Sequence, residues 1–284
     1  MNITLELAKQ LVAEQFPEWA SLEVRHVKKS GHDNRTFRLG ETMSLRLPSH
    51  QAYAAAVEKE STWLPVLASQ LELPITTPVA KGEPSELYPL PWSINNWLEG
   101  ETLQDGSIDL PQFAIDLAQF IRQLQSIDAT DGPVAGAHSF YRGGDLAVYQ
   151  QETEEALKQL EGVVDTERCS HIFAEALRSK WTKPPVWFHG DIASGNLLVR
   201  QQRLAAVIDF GTSGVGDPAC DLVIAWTFFD KENRLIFKEH VQMDKATWQR
   251  AKGWALWKAL ITYQAEEQAV RDLARHTLTA ILSE

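Results

Sequence analysis

Cysteine, long apolar runs and net positive charge are all scarce in this chain. Only two of its 284 residues are cysteines, Cys169 and Cys220, and their spacing matches no metal site, which favours a reduced, cytoplasmic protein. No apolar run reaches the ~18 residues that a membrane helix needs. The first sixteen residues lack the basic start and the unbroken apolar stretch of a signal peptide. We therefore expect a cytoplasmic protein without a membrane span.

The charge balance of the chain is acidic. Asp and Glu number 38 against 27 Lys and Arg, which gives a net charge of −11. Nucleic-acid binding calls for basic patches, so the balance argues against that class. It suits a cationic partner, although a solvated acidic surface explains it equally well. The length and a hydrophobic content of 44% are those of an ordinary globular protein with one large or two modest domains, and no internal repeat is visible.

One stretch, 186–211, alternates apolar runs with polar residues at their ends. It reads V-W-F-H-G-D-I-A-S-G-N-L-L-V (186–199), then a polar turn (200–203), then L-A-A-V-I-D-F-G (204–211). Two runs rich in β-forming residues around a polar turn are the pattern of a β-hairpin. The sequence therefore predicts a hairpin here.

Three polar residues lie at the ends of these runs: Asp191, Asn196 and Asp209. A carboxylate on the loop after the first run can accept the proton of an alcohol. Magnesium takes oxygen ligands, usually one or two carboxylates together with phosphate oxygens and water. Each residue alone is readily explained as a turn or cap residue. Taken together, they predict Asp191 as the catalytic residue and Asn196 and Asp209 as magnesium ligands.

The set H-G-D-x-x-x-x-N (189–196), D-F-G (209–211) and D-P-A-C-D (217–221) resembles the catalytic core of the aminoglycoside phosphotransferase family. Gly190 stands where the protein-kinase template has Arg. That difference, and the absence of an apparent activation segment between the second and third motifs, disfavour a protein kinase.

The resemblance implies an α+β, two-lobed, protein-kinase-like fold. A small N-terminal antiparallel-sheet lobe would bind nucleotide (1–97), and a larger, mostly helical lobe would hold the catalytic and acceptor sites (98–284). The implied reaction moves the γ-phosphate of ATP or GTP, with Mg²⁺, to a hydroxyl of a small molecule, foremost an aminoglycoside-type antibiotic. A macrolide, choline, homoserine or a sugar-like metabolite remain alternatives, as does a nucleotide-binding relative without catalysis. A monomer or weak dimer is expected.

The N-terminal part reads as one helix followed by three strands, at 4–16, 22–29, 36–39 and 44–47. Between the first two strands lies the polar loop S-G-H-D-N-R (30–35). The resemblance implies that this loop covers the nucleotide, with Ser30, Gly31 and Asn34 at the phosphates. A loop of small and polar residues can present backbone N–H groups to phosphate oxygens. An ordinary β-turn is the alternative.

Arg46 lies on the third strand, where the resembled family has a Lys that contacts the α- and β-phosphates. Arg can hold phosphate and pair with a carboxylate, so the role can survive the change. Glu60 falls on the apolar face of the next helix (50–64) and needs a cation, for which Arg46 is the expected partner. A strand-surface Arg in water is the alternative. Pro65 should kink or stop this helix.

The segment 92–101 is predicted to be an edge strand and the hinge between the lobes. In the resembled family the hinge backbone binds the adenine edge. That role places an acceptor at the Asn96 carbonyl and a donor at the Leu98 N–H. A plain interdomain linker is the alternative.

The C-terminal part is predicted to be mainly helical, with helices at 109–126, 146–161 and 167–180 and a glycine-rich loop at 132–145. Asp217 is expected to cap a helix that runs through Trp226. Asp221 is expected to brace the catalytic loop through backbone bonds, and His189 to hold that loop rather than react.

The tail (230–284) is helical and rich in tryptophan, which at helical spacing usually belongs to a core. By the resemblance, helices in this position form one wall of the acceptor pocket. Asp230, Glu266 and Glu267 are therefore candidates for contacts with amino groups of the acceptor.

Overall fold

The computed structural model describes residues 2–27, 33–103 and 107–284. The chain forms two compact units, residues 1–100 with 205–211 and residues 101–204 with 212–284. The first unit thus combines the N-terminal residues with a short segment of the predicted catalytic stretch. The assignment of nucleotide to the first part of the chain and acceptor to the second stays a prediction.

The first unit is built on a five-stranded antiparallel sheet in the order β1-β2-β3-β5-β4. Its strands are β1 (Val24–His26), β2 (Asn34–Leu39), β3 (Met43–Pro48), β4 (Pro78–Gly82) and β5 (Trp92–Asn96). Alternate residues of the central strands, including Phe37, Leu45 and Ile94, are buried in the core of this unit. The prediction of an edge strand at 92–101 is wrong, because β5 pairs with β3 on one side and β4 on the other.

Two long helices belong to this unit, α1 (Leu5–Gln15) and α2 (Gln51–Ala68). Thr4 caps α1 as predicted, since its hydroxyl oxygen accepts a hydrogen bond from the Leu7 N–H at 3.2 Å. Pro65 does not stop α2, which continues to Ala68. A proline removes a single helical hydrogen bond, and burial of Leu64 and Leu67 on either side of it holds the last turn against the core.

The second unit is mostly helical. Its helices are α3 (Leu110–Ser126), α4 (Gln150–Gln159), α5 (Thr166–Arg178), α6 (Ile224–Thr227), α7 (Lys231–Val241), α8 (Lys245–Thr262) and α9 (Gln268–Leu282). Four of them begin at an aspartate whose carboxylate accepts a backbone N–H of the first turn: Asp109, Asp165, Asp230 and Asp244. These caps fix the helix starts locally. Among the described residues, no helix combines the length and apolar character needed to cross a membrane.

The short strands of the chain from residue 101 onward frame the predicted catalytic stretch. They are β6 (Glu101–Thr102), β7 (Val186–Phe188), β8 (Leu197–Arg200), β9 (Arg203–Val207) and β10 (Gly214–Gly216). The hairpin is smaller than predicted, because it joins only β8 and β9 around Gln201 and Gln202, both at positive φ. β7 pairs instead with β10, so the residues between β7 and β8 form a separate loop.

A buried ion pair connects the D-P-A-C-D segment to α8. Arg250 donates to both carboxylate oxygens of Asp217, at 2.6 and 3.1 Å, and both side chains are buried. Asp217 also caps a short 3₁₀ helix (218–222) by accepting from the Ala219 N–H. The predicted single helix through Trp226 is therefore two short pieces, the 3₁₀ turn and α6, with Val223 between them.

Replacing one partner of this pair should destabilise the protein strongly. Arg250→Met leaves the Asp217 carboxylate buried without its cation, and we expect the free energy of unfolding in urea to fall by about 3–5 kcal/mol. Arg25→Met is the control, since Arg25 pairs with exposed glutamates at 3.5–3.6 Å and its loss should cost at most ~1 kcal/mol. Equal losses in the two variants would contradict the role of burial.

Candidate functional site

The loop after β7 makes a tight turn that requires glycine. Gly190 has φ +85°, and a Cβ at this position would lie 2.9 Å from the Thr212 carbonyl oxygen. The Thr212 hydroxyl donates to the His189 carbonyl at 3.0 Å, and the buried His189 ring accepts the Asp191 N–H through Nδ1 at 3.1 Å. His189 therefore shapes the loop, as predicted, whereas the closeness of Thr212 leaves no room for a side chain at position 190.

Asp221 also fixes the loop after β7. Its two carboxylate oxygens accept the backbone N–H groups of His189 and Gly190, each at 2.7 Å, which confirms the predicted bracing role. Asp221 is fully buried, and this burial raises the pKa of its carboxyl, while His189 and the two N–H donors oppose the rise. Because the carboxylate accepts hydrogen bonds from two consecutive backbone N–H groups, it restricts the conformation of the turn.

Asp191 and Asn196, five residues apart in the chain, form hydrogen bonds with each other in the second unit. The Asn196 Nδ2 donates to the Asp191 carboxylate at 2.8 Å and to the Asp191 carbonyl at 3.0 Å. A 3₁₀ turn (Ser194–Asn196) directly before β8 brings the amide back to the aspartate. The Asp191 side chain is exposed, so its carboxylate is held in orientation and can still be reached by a solute. Because Nδ2 makes both bonds, Oδ1 is the amide atom that could bind a cation.

Arg46, Glu60 and Asp209 form a charged cluster within the first unit. The Arg46 guanidinium donates to Glu60 at 3.3 and 3.4 Å and to Asp209 Oδ1 at 2.8 Å. Its side chain is only 12% exposed, so the alternative of a surface arginine in water is wrong. Burial by itself lowers the pKa of Arg46, but the two carboxylates outweigh it and the pKa is raised. Burial raises the pKa of Glu60, and Arg46 counters that rise.

The D-F-G segment is held at both ends. Asp209 has φ +68°, a left-handed conformation that Asp tolerates better than most residues. Lys59, next to Glu60 on α2, donates from Nζ to the Gly211 carbonyl at 2.7 Å. Burial lowers the pKa of Lys59 to about 8, with Glu60 partly offsetting the effect. Two consecutive residues of α2 thus fix this segment, Glu60 through Arg46 and Lys59 directly.

Sequence reasoning missed Lys59. The contact joins residues 152 positions apart, and Lys59 lies beside the apolar stripe of its helix rather than on it. The only local signal is the alternation V-E-K-E, which equally describes a solvated helix face.

The other predicted nucleotide contacts fall on the first part of the chain. Ser30 and Gly31 lie outside the described residues, whereas Asn34 is the first residue of β2. The Asn96 side-chain oxygen accepts the Thr77 N–H at 2.6 Å, which ties the end of β5 to the segment before β4. Leu98 follows β5 in an irregular stretch. Their contacts with phosphate and adenine stay predictions.

The three residues predicted to contact the acceptor, Asp230, Glu266 and Glu267, lie at or near helix starts in the second unit. Asp230 is the cap of α7 and accepts the Asn233 N–H at 2.8 Å. Glu267 is the residue before α9, and the Glu266 carbonyl accepts a bond from Arg271. Contacts of these carboxylates with acceptor amino groups stay predictions.

The residues present suit magnesium only as part of a nucleotide complex. No group of three or more His, Cys, Asp or Glu that could hold a metal occurs in the described ranges. Asp209 in the first unit offers a carboxylate oxygen and Asn196 in the second unit an amide oxygen, and both are ligand types that magnesium takes together with phosphate oxygens and water. Their binding of one ion stays a prediction.

Comparisons with solved structures identify the fold. The GDP complex of wild-type aminoglycoside 2′-phosphotransferase-IIIa is 20% identical, with a TM-score of 0.73 and 99% of each chain covered. The streptomycin–ATP–APH(2″)-IIa ternary complex is 19% identical, with a TM-score of 0.61 over 100% of this chain and 97% of the other. The apoenzyme of the macrolide 2′-phosphotransferase MphH from Brachybacterium faecium is 20% identical, with a TM-score of 0.61 over 96% and 97%. At such identities the similarity shows the fold alone.

The predicted fold class is confirmed, with an antiparallel-sheet unit and a mostly helical unit as in these phosphotransferases. The search of curated proteins gives no significant match. Residues 26–254 match the model of the phosphotransferase enzyme family, APH. Because that match covers well over half of the chain, the protein belongs to the phosphotransferase enzyme family.

Proposed function

We propose that the protein transfers the γ-phosphoryl group of ATP or GTP to a hydroxyl group of a small molecule. The observation that supports this best is the pairing of Asp191 with Asn196 at 2.8 Å on a loop fixed by Asp221. The cluster of Arg46, Glu60 and Asp209 in the first unit supplies the second set of groups that the reaction needs. Membership of the family supports the same reaction class.

Asp191 would orient the acceptor hydroxyl and accept its proton as the oxygen attacks the γ-phosphorus and the nucleoside diphosphate leaves. Its base strength matters less than its position, because phosphoryl transfer depends mainly on alignment and charge neutralisation. Asn196 fixes that position through its hydrogen bond. Asn196 and Asp209 would hold Mg²⁺, which when bound neutralises charge on the phosphates.

Arg46 would clamp the α- and β-phosphates. Its guanidinium has donors enough to keep Glu60 while binding phosphate. Ser30, Gly31 and Asn34 would contact the phosphates, and the Asn96 carbonyl and Leu98 N–H the base. Structures similar to this chain are complexes with GDP, ADP or ATP, which supports a nucleotide co-substrate without choosing between ATP and GTP.

The acceptor is the least constrained part of the proposal. An aminoglycoside is the acceptor that the sequence favours, and similar structures that are complexes with kanamycin or gentamicin support it. A macrolide is the alternative that two other related structures support. A cytoplasmic location and a monomer or weak dimer stay predictions.

A nucleotide-binding protein without catalysis is the second candidate. Its main support was Arg46 in place of the usual Lys. Because Arg46 pairs with both Glu60 and Asp209, that support is weakened. Production of ADP or GDP by the purified protein with Mg²⁺, over a panel of aminoglycosides, macrolides and small alcohols, tests the proposed function. Nucleotide binding with no acceptor-stimulated turnover would favour the second candidate.

Removal of the predicted base should abolish most turnover. In Asp191→Ala we expect kcat to fall by about 10²–10⁴-fold, because the hydroxyl loses its proton acceptor. Nucleotide affinity by calorimetry should barely change. Asp131→Ala, at an exposed aspartate of the same unit, is the control and should keep wild-type turnover. Near-normal kcat in Asp191→Ala would show that the assigned role is wrong.

Asp209→Ala should weaken nucleotide binding only when Mg²⁺ is present, because the substitution removes the charged ligand that we assign to the ion. Calorimetric titration with ATP or GTP, with Mg²⁺ and then with a chelator, measures this difference. The same affinity for the Mg²⁺–nucleotide in wild type and variant would remove Asp209 from the proposed metal site.

Lys59→Met should act through the D-F-G segment. Loss of a hydrogen bond from a charged donor costs about 1.5–3 kcal/mol, so we expect the Mg²⁺–nucleotide affinity to fall by about 10- to 100-fold. Lys59→Arg should restore part of it. Lys81→Met is the matched control. Lys81 lies on β4 and forms an ion pair with Glu58, which is on the exposed side of α2, the helix that carries Lys59. A Lys59→Met variant with the wild-type affinity for the Mg²⁺–nucleotide would argue against a positioning role.

A further inference from the structure

Two cationic side chains flank one indole ring in the second unit. The Arg142 guanidinium lies 5.7 Å from the centre of the Trp257 ring, and the Lys258 ammonium lies 5.8 Å from it. Within the residues that the structure describes, neither cation forms an ion pair with a carboxylate. Trp257 and Lys258 also lie beyond residue 254, where the match to the family model ends.

Partial burial and a like charge both act on Lys258, whose ammonium shares the Trp257 ring with Arg142. Its side chain reaches solvent, yet partial burial lowers its pKa, and the next largest cause of the lowering is Arg142. Asp191 and Glu152 act in the opposite direction and more weakly. The two like charges repel each other, and within the described residues neither of them forms an ion pair that would offset this repulsion. An anion from outside the chain would relieve that repulsion.

The backbone fixes Arg142 next to the catalytic loop. Phe140 and Tyr141 both have positive φ, 48° and 57°, which is uncommon for aromatic residues and marks a constrained turn. A Cβ on Gly143 would meet the Phe188 ring at 2.0 Å, so this turn packs directly against the strand that leads to His189. The Gly143 carbonyl also accepts the Asp217 N–H at 2.8 Å. Arg142 is therefore held by the same elements that hold Asp191.

Lys258 is fixed by its neighbour on α8. The buried Trp257 ring stacks on Tyr149 at 3.9 Å between centres, and its Nε1 donates to Glu152 Oε2 at 2.7 Å. The Glu152 carboxylate is therefore hydrogen-bonded to the indole of Trp257. Lys258 remains at the surface, within electrostatic range of Asp191.

We propose that Arg142 and Lys258 form a subsite for an anionic group, a carboxylate or a phosphate, on the acceptor whose hydroxyl is phosphorylated at Asp191. This inference rests on the proposed function and specifies its substrate class. The anion makes no bond in the reaction; it places the hydroxyl at Asp191, as Arg and Lys do for oxyanions elsewhere. An aminoglycoside, whose amino groups are cationic, would be repelled by this subsite.

The first experiment measures anion binding directly. The nucleotide site is filled with Mg²⁺ and a non-hydrolysable ATP analogue, and sodium sulfate is then titrated against sodium chloride of equal ionic strength. We expect wild type to bind sulfate, and Arg142→Gln/Lys258→Gln to lose at least tenfold in affinity. Lys258→Arg should keep most of the binding, and Lys245→Gln, at an exposed lysine of α8, should keep all of it. No sulfate binding by wild type, or equal binding by the double variant, overturns the proposal.

The second experiment separates this inference from the proposed function. ADP production is compared for matched acceptors with and without an anion, glucose 6-phosphate against glucose and 4-hydroxybutyrate against its amide, together with kanamycin. We expect turnover to favour the anionic member of a pair, with KM raised at least tenfold and kcat little changed in Lys258→Gln. Kanamycin as the best acceptor would leave the phosphotransferase standing and overturn the anionic subsite. Sulfate binding without turnover of any acceptor would instead count against the proposed function.

Discussion

The Asp221 carboxylate, buried beneath the loop after β7, is the group on which the arrangement of the second unit depends. It accepts the N–H groups of His189 and Gly190, so a tight turn that glycine alone permits is also fixed by hydrogen bonds. Asp191 follows this turn directly and is oriented by Asn196. A loop built in this way can present a carboxylate to solvent without letting it move, which is the main demand that phosphoryl transfer makes of a protein.

In the first unit, ion pairs rather than backbone hydrogen bonds hold the predicted site residues in position. Glu60 is buried, and only a cation makes that burial tolerable. An arginine at position 46 can serve two carboxylates at once through different nitrogens, Glu60 from one and Asp209 from the other. The replacement of the family's lysine by arginine therefore keeps the link to Glu60 and adds a fixed contact to the D-F-G segment.

The overall charge of the protein and the charge around the Trp257 ring have opposite signs. The net charge of −11 suits a cationic acceptor, whereas Arg142 and Lys258, which form no ion pair within the described residues, lie 5.7 and 5.8 Å from the centre of that ring. For recognition the local charges have the greater weight, because interactions between exposed charges are largely screened beyond about 8 Å at physiological salt. Net charge describes solubility and long-range steering better than it describes a binding site.

Features that depend on near neighbours in the chain could be predicted from the amino-acid sequence. The Thr4 cap, the helix at 110–126 and the five-residue spacing of Asp191 and Asn196 all follow from local geometry. The pair of Arg46 and Glu60 was also predictable, because a buried glutamate needs a cation. The pairing of β7 with β10, the bond of Lys59 to Gly211 and the approach of Arg142 to the Trp257 ring became known only from the folded chain. These contacts join distant segments through packing, and no local spacing in the chain encodes them.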